Sequence, residues 1–223
     1  MTNTQLATRV RHPATTALVA VNVLVALVAS VMITVADGFD PGLIFLDGVS
    51  PLHEWGEMSG EAVDGGEYWR LVTTLFLHYG LLHLLANMIM LWVAARVLEP
   101  AVGTTDFLIV YALSGLAASV AVYYTAHDVL TAGASGAVFG LFSALLVVSV
   151  RRKLPLWLPL VLLAFGVVTT FALPGMSVAA HAGGLVAGAV AATAIVYGGR
   201  SRTPILVAVA ALLILLVVLA RFV

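Results

Sequence analysis

The 223-residue chain contains no cysteine. That absence removes disulfides, thiolate zinc sites and cysteine nucleophiles together, so covalent chemistry falls to a hydroxyl, an amine or a carboxylate. Charge is nearly as scarce. Asp, Glu, Lys and Arg together make up 9% of the residues, against roughly 25% in a soluble domain, too few to cover a water-facing surface. Lysine is almost missing, with Lys153 alone, and a net charge of −1 leaves no basic footprint for nucleic acid. Neither a phosphate-binding loop nor a set of metal ligands is visible, so no cofactor is implied. No internal repeat is obvious, which weakens an inverted-repeat transporter reading.

What the chain has instead is apolar length. Hydrophobic residues make up 62% of it and mean hydropathy is +1.11. Seven apolar stretches follow one another: about Thr15 to Ala36, Leu71 to Leu98, Asp106 to Ala126, Ser135 to Val150, Pro155 to Phe171, Ser177 to Tyr197, and Pro204 to Phe222. Stretches near 20 residues read as membrane-spanning helices, which predicts an all-α polytopic membrane protein. The fourth and fifth are short, as suits helices shielded by neighbours. Pro159 inside the fifth is expected to weaken that helix. The first stretch exceeds the apolar core of a signal peptide and no small-residue cleavage site closes it, so it reads as a retained span.

Charge placement predicts the topology. Arg9 and Arg11 precede the first span, Arg151, Arg152 and Lys153 separate the fourth from the fifth, and Arg200 and Arg202 separate the sixth from the seventh. All three sites fall on one side if every stretch crosses, and the positive-inside rule makes that side cytoplasmic. Arg221 is the one minor exception. Residues 37–69 form the only long loop and carry eight acids, among them Asp47, Glu57 and Glu67, placing it outside. Its Ile44, Phe45, Leu46, Leu52, Trp55 and Tyr68 predict short amphipathic helices at the membrane interface. Lys-poor, Ala- and Val-rich usage points to a prokaryote with a GC-rich genome, and so to the plasma membrane.

Within hydrocarbon each polar side chain needs a reason, and three clusters stand out. Ser135 lies in GASG where an outer loop turns into the fourth span. A serine there is commonly only an N-cap. Gly133 and Gly136, however, permit close approach of another chain, and the helix start offers unpaired N–H groups and a positive dipole end suited to an oxyanion. His181 lies in AAHAGGLVAG, where it could simply bond a neighbouring helix. Gly184 and Gly188 on its helix, and Gly136 and Gly140 on the fourth, are small-xxx-small pairs that let backbones approach. If those faces meet, Ser135 and His181 come within hydrogen-bond reach, with Phe139 one turn below to pack on the imidazole. His83 and Asn87, four apart in the second span, share a face. They can act as oxyanion donors or as interhelical glue. His78 lies off that face. A metal shared by His83 and His181 lacks a nearby carboxylate.

The ordered set resembles the rhomboid family: a Trp-Arg pair (Trp69, Arg70), H-x-x-x-N (His83, Asn87), G-x-S-G around Ser135, and a histidine with glycines three and seven residues on (His181, Gly184, Gly188). Glu99 matches a family acid near the cytoplasmic end of the second helix. The resemblance covers roughly residues 15–198. It implies a tail over residues 1–14, a six-helix protease core over 15–198 and an added seventh helix over 204–222. It further implies a serine endopeptidase acting on membrane proteins with a transmembrane segment, within a lipid bilayer and without a cofactor. Ser135 would be the nucleophile and His181 the general base. The Ser135 N–H, His83 and Asn87 would form the oxyanion hole. Arg70 would tie down the outer loop through backbone carbonyls, and Glu99 would bond into a neighbouring loop. Phe139 departs from a tyrosine common in the family, keeping the ring without the hydroxyl. The family's substrates are thought to enter past the fifth span. A relative that binds membrane clients without cutting them, or a transporter using His78, His83 and Asn87, are the competing readings. No oligomeric state or natural substrate can be read from the chain.

Overall fold

The computed structural model describes residues 12–220. Arg9, Arg11 and Arg221, used above for topology, lie outside the described residues. The described chain is built from helices and turns, with one isolated antiparallel bridge between Met58 and Thr131. The long helices are α1 (Pro13–Asp37), α5 (Gly80–Val102), α6 (Thr104–Thr125), α7 (Ser135–Arg152), α8 (Trp157–Ala172), α9 (Val178–Tyr197) and α10 (Arg202–Ala220). Three short ones, α2 (Pro51–Gly56), α3 (Gly60–Asp64) and α4 (Arg70–Thr73), belong to the segment between α1 and α5.

Among the described residues six helices are long and apolar enough to cross a membrane. The seventh apolar helix, α8, has 16 residues, about 24 Å of helix against a hydrocarbon core of about 30 Å. Its Pro159 is the third helical residue. The first four N–H groups of a helix have no intrahelical acceptor, so a proline there removes no hydrogen bond and the expected weakening does not arise.

Local chemistry explains several helix ends. Ser177 caps α9 by accepting the Ala180 N–H at 3.2 Å. Arg151 and Arg152 sit in the last turn of α7, where positive charge complements the dipole. Lys153 beyond them turns left-handed, with φ 56°. The Glu99 carboxylate accepts the N–H groups of Ala14 and Thr15 at 2.9 and 3.0 Å and the Thr15 hydroxyl at 2.5 Å. It therefore caps the start of α1, a sensible place for an acid because that end of a helix is electropositive, and it also accepts the Thr104 hydroxyl at 3.1 Å just past the Gly103 turn.

The second apolar stretch also differs from expectation. Its helix begins at Gly80, not near Leu71. Residues 70–79 instead form α4, a 3₁₀ turn over Thr74–Phe76 and an extended link. Their Leu71, Leu75 and Leu77 are buried inside the protein. Apolarity there serves the folded segment between α1 and α5, which a hydropathy run cannot distinguish from a span.

The basic sites gather at one end of the bundle. Arg202 pairs with Asp106 at the starts of α10 and α6, and Arg151 lies 5.5 Å over the Tyr197 ring, joining the ends of α7 and α9. At the opposite end lie α2, α3 and α4. The centre is α6, α7 and α9. A Cβ on Gly184 would strike the Gly136 carbonyl, and one on Gly188 the Gly140 carbonyl, so the two helices touch backbone to backbone.

Candidate active site

Ser135 is the first residue of α7. The loop before it is held by the segment between α1 and α5. Thr131 pairs through N–H and carbonyl with Met58, at 3.1 and 2.8 Å, and its carbonyl also accepts the Thr74 hydroxyl at 2.7 Å. The Gly133 N–H donates to the Thr74 carbonyl at 2.9 Å, and the Ala134 N–H to His78 Nε2 at 3.4 Å. The Ser135 N–H comes next, at a helix start with no intrahelical acceptor. Gly133 has φ +131°, where side chains are disfavoured, and a Cβ there would lie 2.9 Å from the His83 ring.

The α7–α9 approach brings His181 Nε2 to 3.0 Å from Ser135 Oγ. Phe139 stacks on the imidazole, ring centroids 3.8 Å apart and planes 6° from parallel. His181 is buried, and its Nδ1 meets the Thr170 hydroxyl of α8 at 2.8 Å. A serine hydroxyl paired with an imidazole whose other edge is held is the arrangement of an activated nucleophile.

His83 lines a cavity of about 950 Å³ together with Ser135, His181, Gly133, Asp47 and Tyr79. The His83 ring stands edge-on to His78 and stacks against Tyr79, with centroids 5.1 and 6.4 Å apart. Asn87, one turn along the same face, is buried, and one amide N–H donates to the His83 carbonyl at 3.1 Å. A primary amide has a second N–H to offer. Among the described residues no three His, Cys, Asp or Glu side chains gather as a metal site.

Trp69 stacks on Trp55 and donates to its carbonyl at 3.1 Å. Arg70 donates to the carbonyls of Glu57 and Glu54 at 3.0 and 2.7 Å and to the Glu67 carboxylate at 2.6 Å. These bonds close the α1–α5 segment that holds the Ser135 loop.

Three residues near the site escaped the reading by motif or were left aside in it. Thr74 and Thr170 belong to no motif, although Thr170, a polar residue in an apolar stretch, did carry a signal. Helical spacing puts His78 off the His83 face, but the helix begins only at Gly80, and His78 lies before it with its ring 5.1 Å from that of His83 and within reach of the Ser135 loop. Burial and the neighbouring His83 hold the His78 pKa far below the ordinary value, at about 3, so the ring is neutral and its Nε2 can accept from Ala134.

Comparison with known proteins adds an independent line. Residues 65–198 match the family model for the rhomboid domain, a match that begins just after α3 and leaves α1 outside it. The chain is 38% identical over 132 residues to the putative rhomboid protease YdcA of Bacillus subtilis, covering 56% of this chain and 66% of that protein. It is 34% identical over 150 residues to rhomboid protease GluP of the same organism, covering 63% of this chain and 29% of that one. RHOMBOID-like protein 5 of Arabidopsis thaliana is 33% identical over 148 residues, covering 63% and 48%. The matches thus span less than two thirds of each relative's own length. A domain match over more than half the sequence, set on an all-helical fold with six apolar helices of spanning length, is decisive: the chain belongs to the rhomboid family, as an integral membrane protein that crosses the bilayer several times.

Proposed function

We propose that this protein is an intramembrane serine endopeptidase that cuts membrane proteins in or near a transmembrane segment. The observation that carries the reading is the 3.0 Å pair of Ser135 Oγ and His181 Nε2 beside a helix start with a free N–H. The names of the two Bacillus relatives, a rhomboid protease and a putative rhomboid protease, support it.

Ser135 Oγ attacks the scissile carbonyl carbon while His181 Nε2 takes its proton. The oxyanion is held by the Ser135 N–H, His83 and the second N–H of Asn87, donors of a kind whose single loss costs about 10²–10³ in rate in serine proteases. His181 returns the proton to the leaving amine, and water then hydrolyses the acyl-enzyme. A substrate helix has to unwind locally to present its peptide bond. The basic end of the bundle faces the cytoplasm with the N-terminus, the outer segment lies in the opposite interface, and the compartment is a prokaryotic plasma membrane.

The test is cleavage of a single-span membrane substrate by the purified protein, beside Ser135→Ala and His181→Ala. We expect cleavage by the parent and a loss of at least about 10⁴-fold in each variant with folding intact. Stable binding of the substrate without cleavage, across several substrates and lipids, would instead make the protein a client-binding relative.

A further inference from the structure

Thr170 sits in the last turn of α8 and is buried. Its hydroxyl oxygen is 2.8 Å from His181 Nδ1 and 2.7 Å from the Gly166 carbonyl oxygen one turn back. A hydroxyl has one proton to give, and that proton decides which edge of the imidazole is basic.

Two proton arrangements fit the distances. In the first, Ser135 donates to Nε2, Nδ1–H donates to Thr170 Oγ1, and Thr170 donates to the Gly166 carbonyl. Every proton has an acceptor, in a chain of three hydrogen bonds. In the second, Nε2–H donates to Ser135 Oγ and Thr170 donates to Nδ1. The Ser135 proton then loses its acceptor, since His181 is the hydrogen-bond partner of Ser135 Oγ among the described residues. The Gly166 carbonyl also loses the Thr170 proton. The first arrangement makes one more hydrogen bond from the same atoms and is therefore the favoured one.

We infer that Thr170 is a positioning residue for the reaction, an uncharged third member that accepts from His181 Nδ1–H and so keeps Nε2 free to take the Ser135 proton. The inference rests on reading Ser135 and His181 as an acyl-transfer pair. No carboxylate is required, because the acceptor need only fix the tautomer and the ring's orientation. When Nε2 takes the proton, the ring keeps its Nδ1–H bond and lies near the C-terminal end of α8, whose carbonyls carry negative partial charge. Gly166 serves the same ring from its other side. A Cβ on it would lie 2.8 Å from Phe139 Cζ, so its bareness leaves room for the Phe139 ring that stacks on the imidazole. The edge and the face of His181 are thus both set from α8.

Two measurements test this. Nitrogen-15 NMR of the histidine-labelled protein in detergent reads the tautomer of His181, its signals identified by their loss in His181→Gln. The wild type is expected to carry its proton on Nδ1. Kinetics on a membrane substrate then compare Thr170→Val, which keeps the shape without the oxygen, with Thr170→Ser, which keeps the oxygen. The valine variant should lose about tenfold in kcat with little change in KM, one hydrogen bond's worth, and should shift part of His181 to the Nε2–H form. The serine variant should recover both. A purely helix-stabilising threonine would lower the folded yield of the valine variant and leave the kcat of the folded fraction and the tautomer alone. That result, or a wild-type His181 protonated on Nε2, overturns the inference. If the valine variant does not fold, the wild-type tautomer and the serine variant still decide. A wild type that cleaves nothing would fail the acyl-transfer reading separately, while the tautomer still reports the direction of the hydrogen bond.

Discussion

The two halves of this molecule are held together by different chemistry. In α6, α7 and α9 the joints are small residues. Gly136, Gly140, Gly184 and Gly188 let backbones touch, Ala118 and Ser114 fill the gaps beside them, and besides the Ser135–His181 pair the Ser143 hydroxyl crosses from α7 to the Leu185 carbonyl of α9 at 2.7 Å. In the segment between α1 and α5 the joints are polar. Arg70 holds two carbonyls and a carboxylate. His53 sits between the Ser50 N–H at 3.1 Å and the His78 carbonyl at 3.2 Å, and Tyr79 donates to Glu57 at 2.7 Å. The contrast follows from solvent. Lipid gives apolar helices no hydrophobic reason to associate, so close packing has to supply the energy. A loop with little regular structure must pair its buried carbonyls by other means. Ser135 stands on the seam, its preceding loop bonded to the polar half and its helix packed in the other.

The largest effect is expected where the packed half has least room. Gly184→Val would drive two methyl groups into the Gly136 carbonyl, a backbone atom fixed by its own helix. Overpacking costs about 1–3 kcal/mol where side chains can shift, and here they cannot, so we expect more than ~3 kcal/mol. Thermal unfolding in detergent should show a large fall in Tm, and any folded remainder should have lost cleavage because Ser135 and His181 separate. A variant that melts like the parent would mean that α7 and α9 do not touch along this face.

The polar half should break more gently. Arg70→Lys keeps the charge but loses the planar fork that reaches three acceptors. Leaving the Glu54 and Glu57 carbonyls short of a donor should cost about 2–3 kcal/mol, with cleavage reduced through the loop that precedes Ser135. Hydrogen exchange should rise over residues 51–79 and stay unchanged in α7 and α9. Exchange rising equally in both halves would show them to be one cooperative unit.

These two halves were not equally legible in the sequence. The glycine pairs on α7 and α9 announced a close approach because spacing alone places small residues on one helical face, and the meeting of Ser135 with His181 followed from it. Arg70 was read as a clasp on carbonyls and is one. The start of α5 was misread because Leu71, Leu75 and Leu77 are as apolar as a span, and only the tertiary structure shows that protein, not lipid, covers them. The partner of Glu99 was hidden for a related reason: an N-terminus 84 residues away in sequence leaves no local trace. Thr170 was missed because a threonine in an apolar helix usually back-bonds to its own carbonyls, and this one does so as well as reaching His181.

Acid should separate the halves with the smallest effect. Burial pushes His78 down to about 3 and lowers His53 too, while hydrogen bonds to Asp128 and Asp64 raise the exposed His127. Unfolded histidines take up protons near pH 6.5. Between that pH and about 3 the unfolded chain therefore binds protons that folded His78 refuses, so the stability His78 contributes is full above pH 6.5 and drains as pH falls. His53 acts in the same direction. His127 acts in the opposite one, since its contribution is present below its unfolded value and lost only as pH rises through its raised folded value. The balance favours loss on acidification, because His127 is exposed and solvent screens its pairs. From pH 7 to 5.5 the drain through His78 amounts to about 1 kcal/mol. His78→Gln keeps an acceptor for the Ala134 N–H without the titration, so its stability should fall less over this range. The wild type should also show faster exchange in residues 51–79 on acidification before α7 and α9 loosen. Equal slopes in wild type and His78→Gln would mean that His78 is not withheld from protons, and with that its neutral bond to the Ser135 loop would fall.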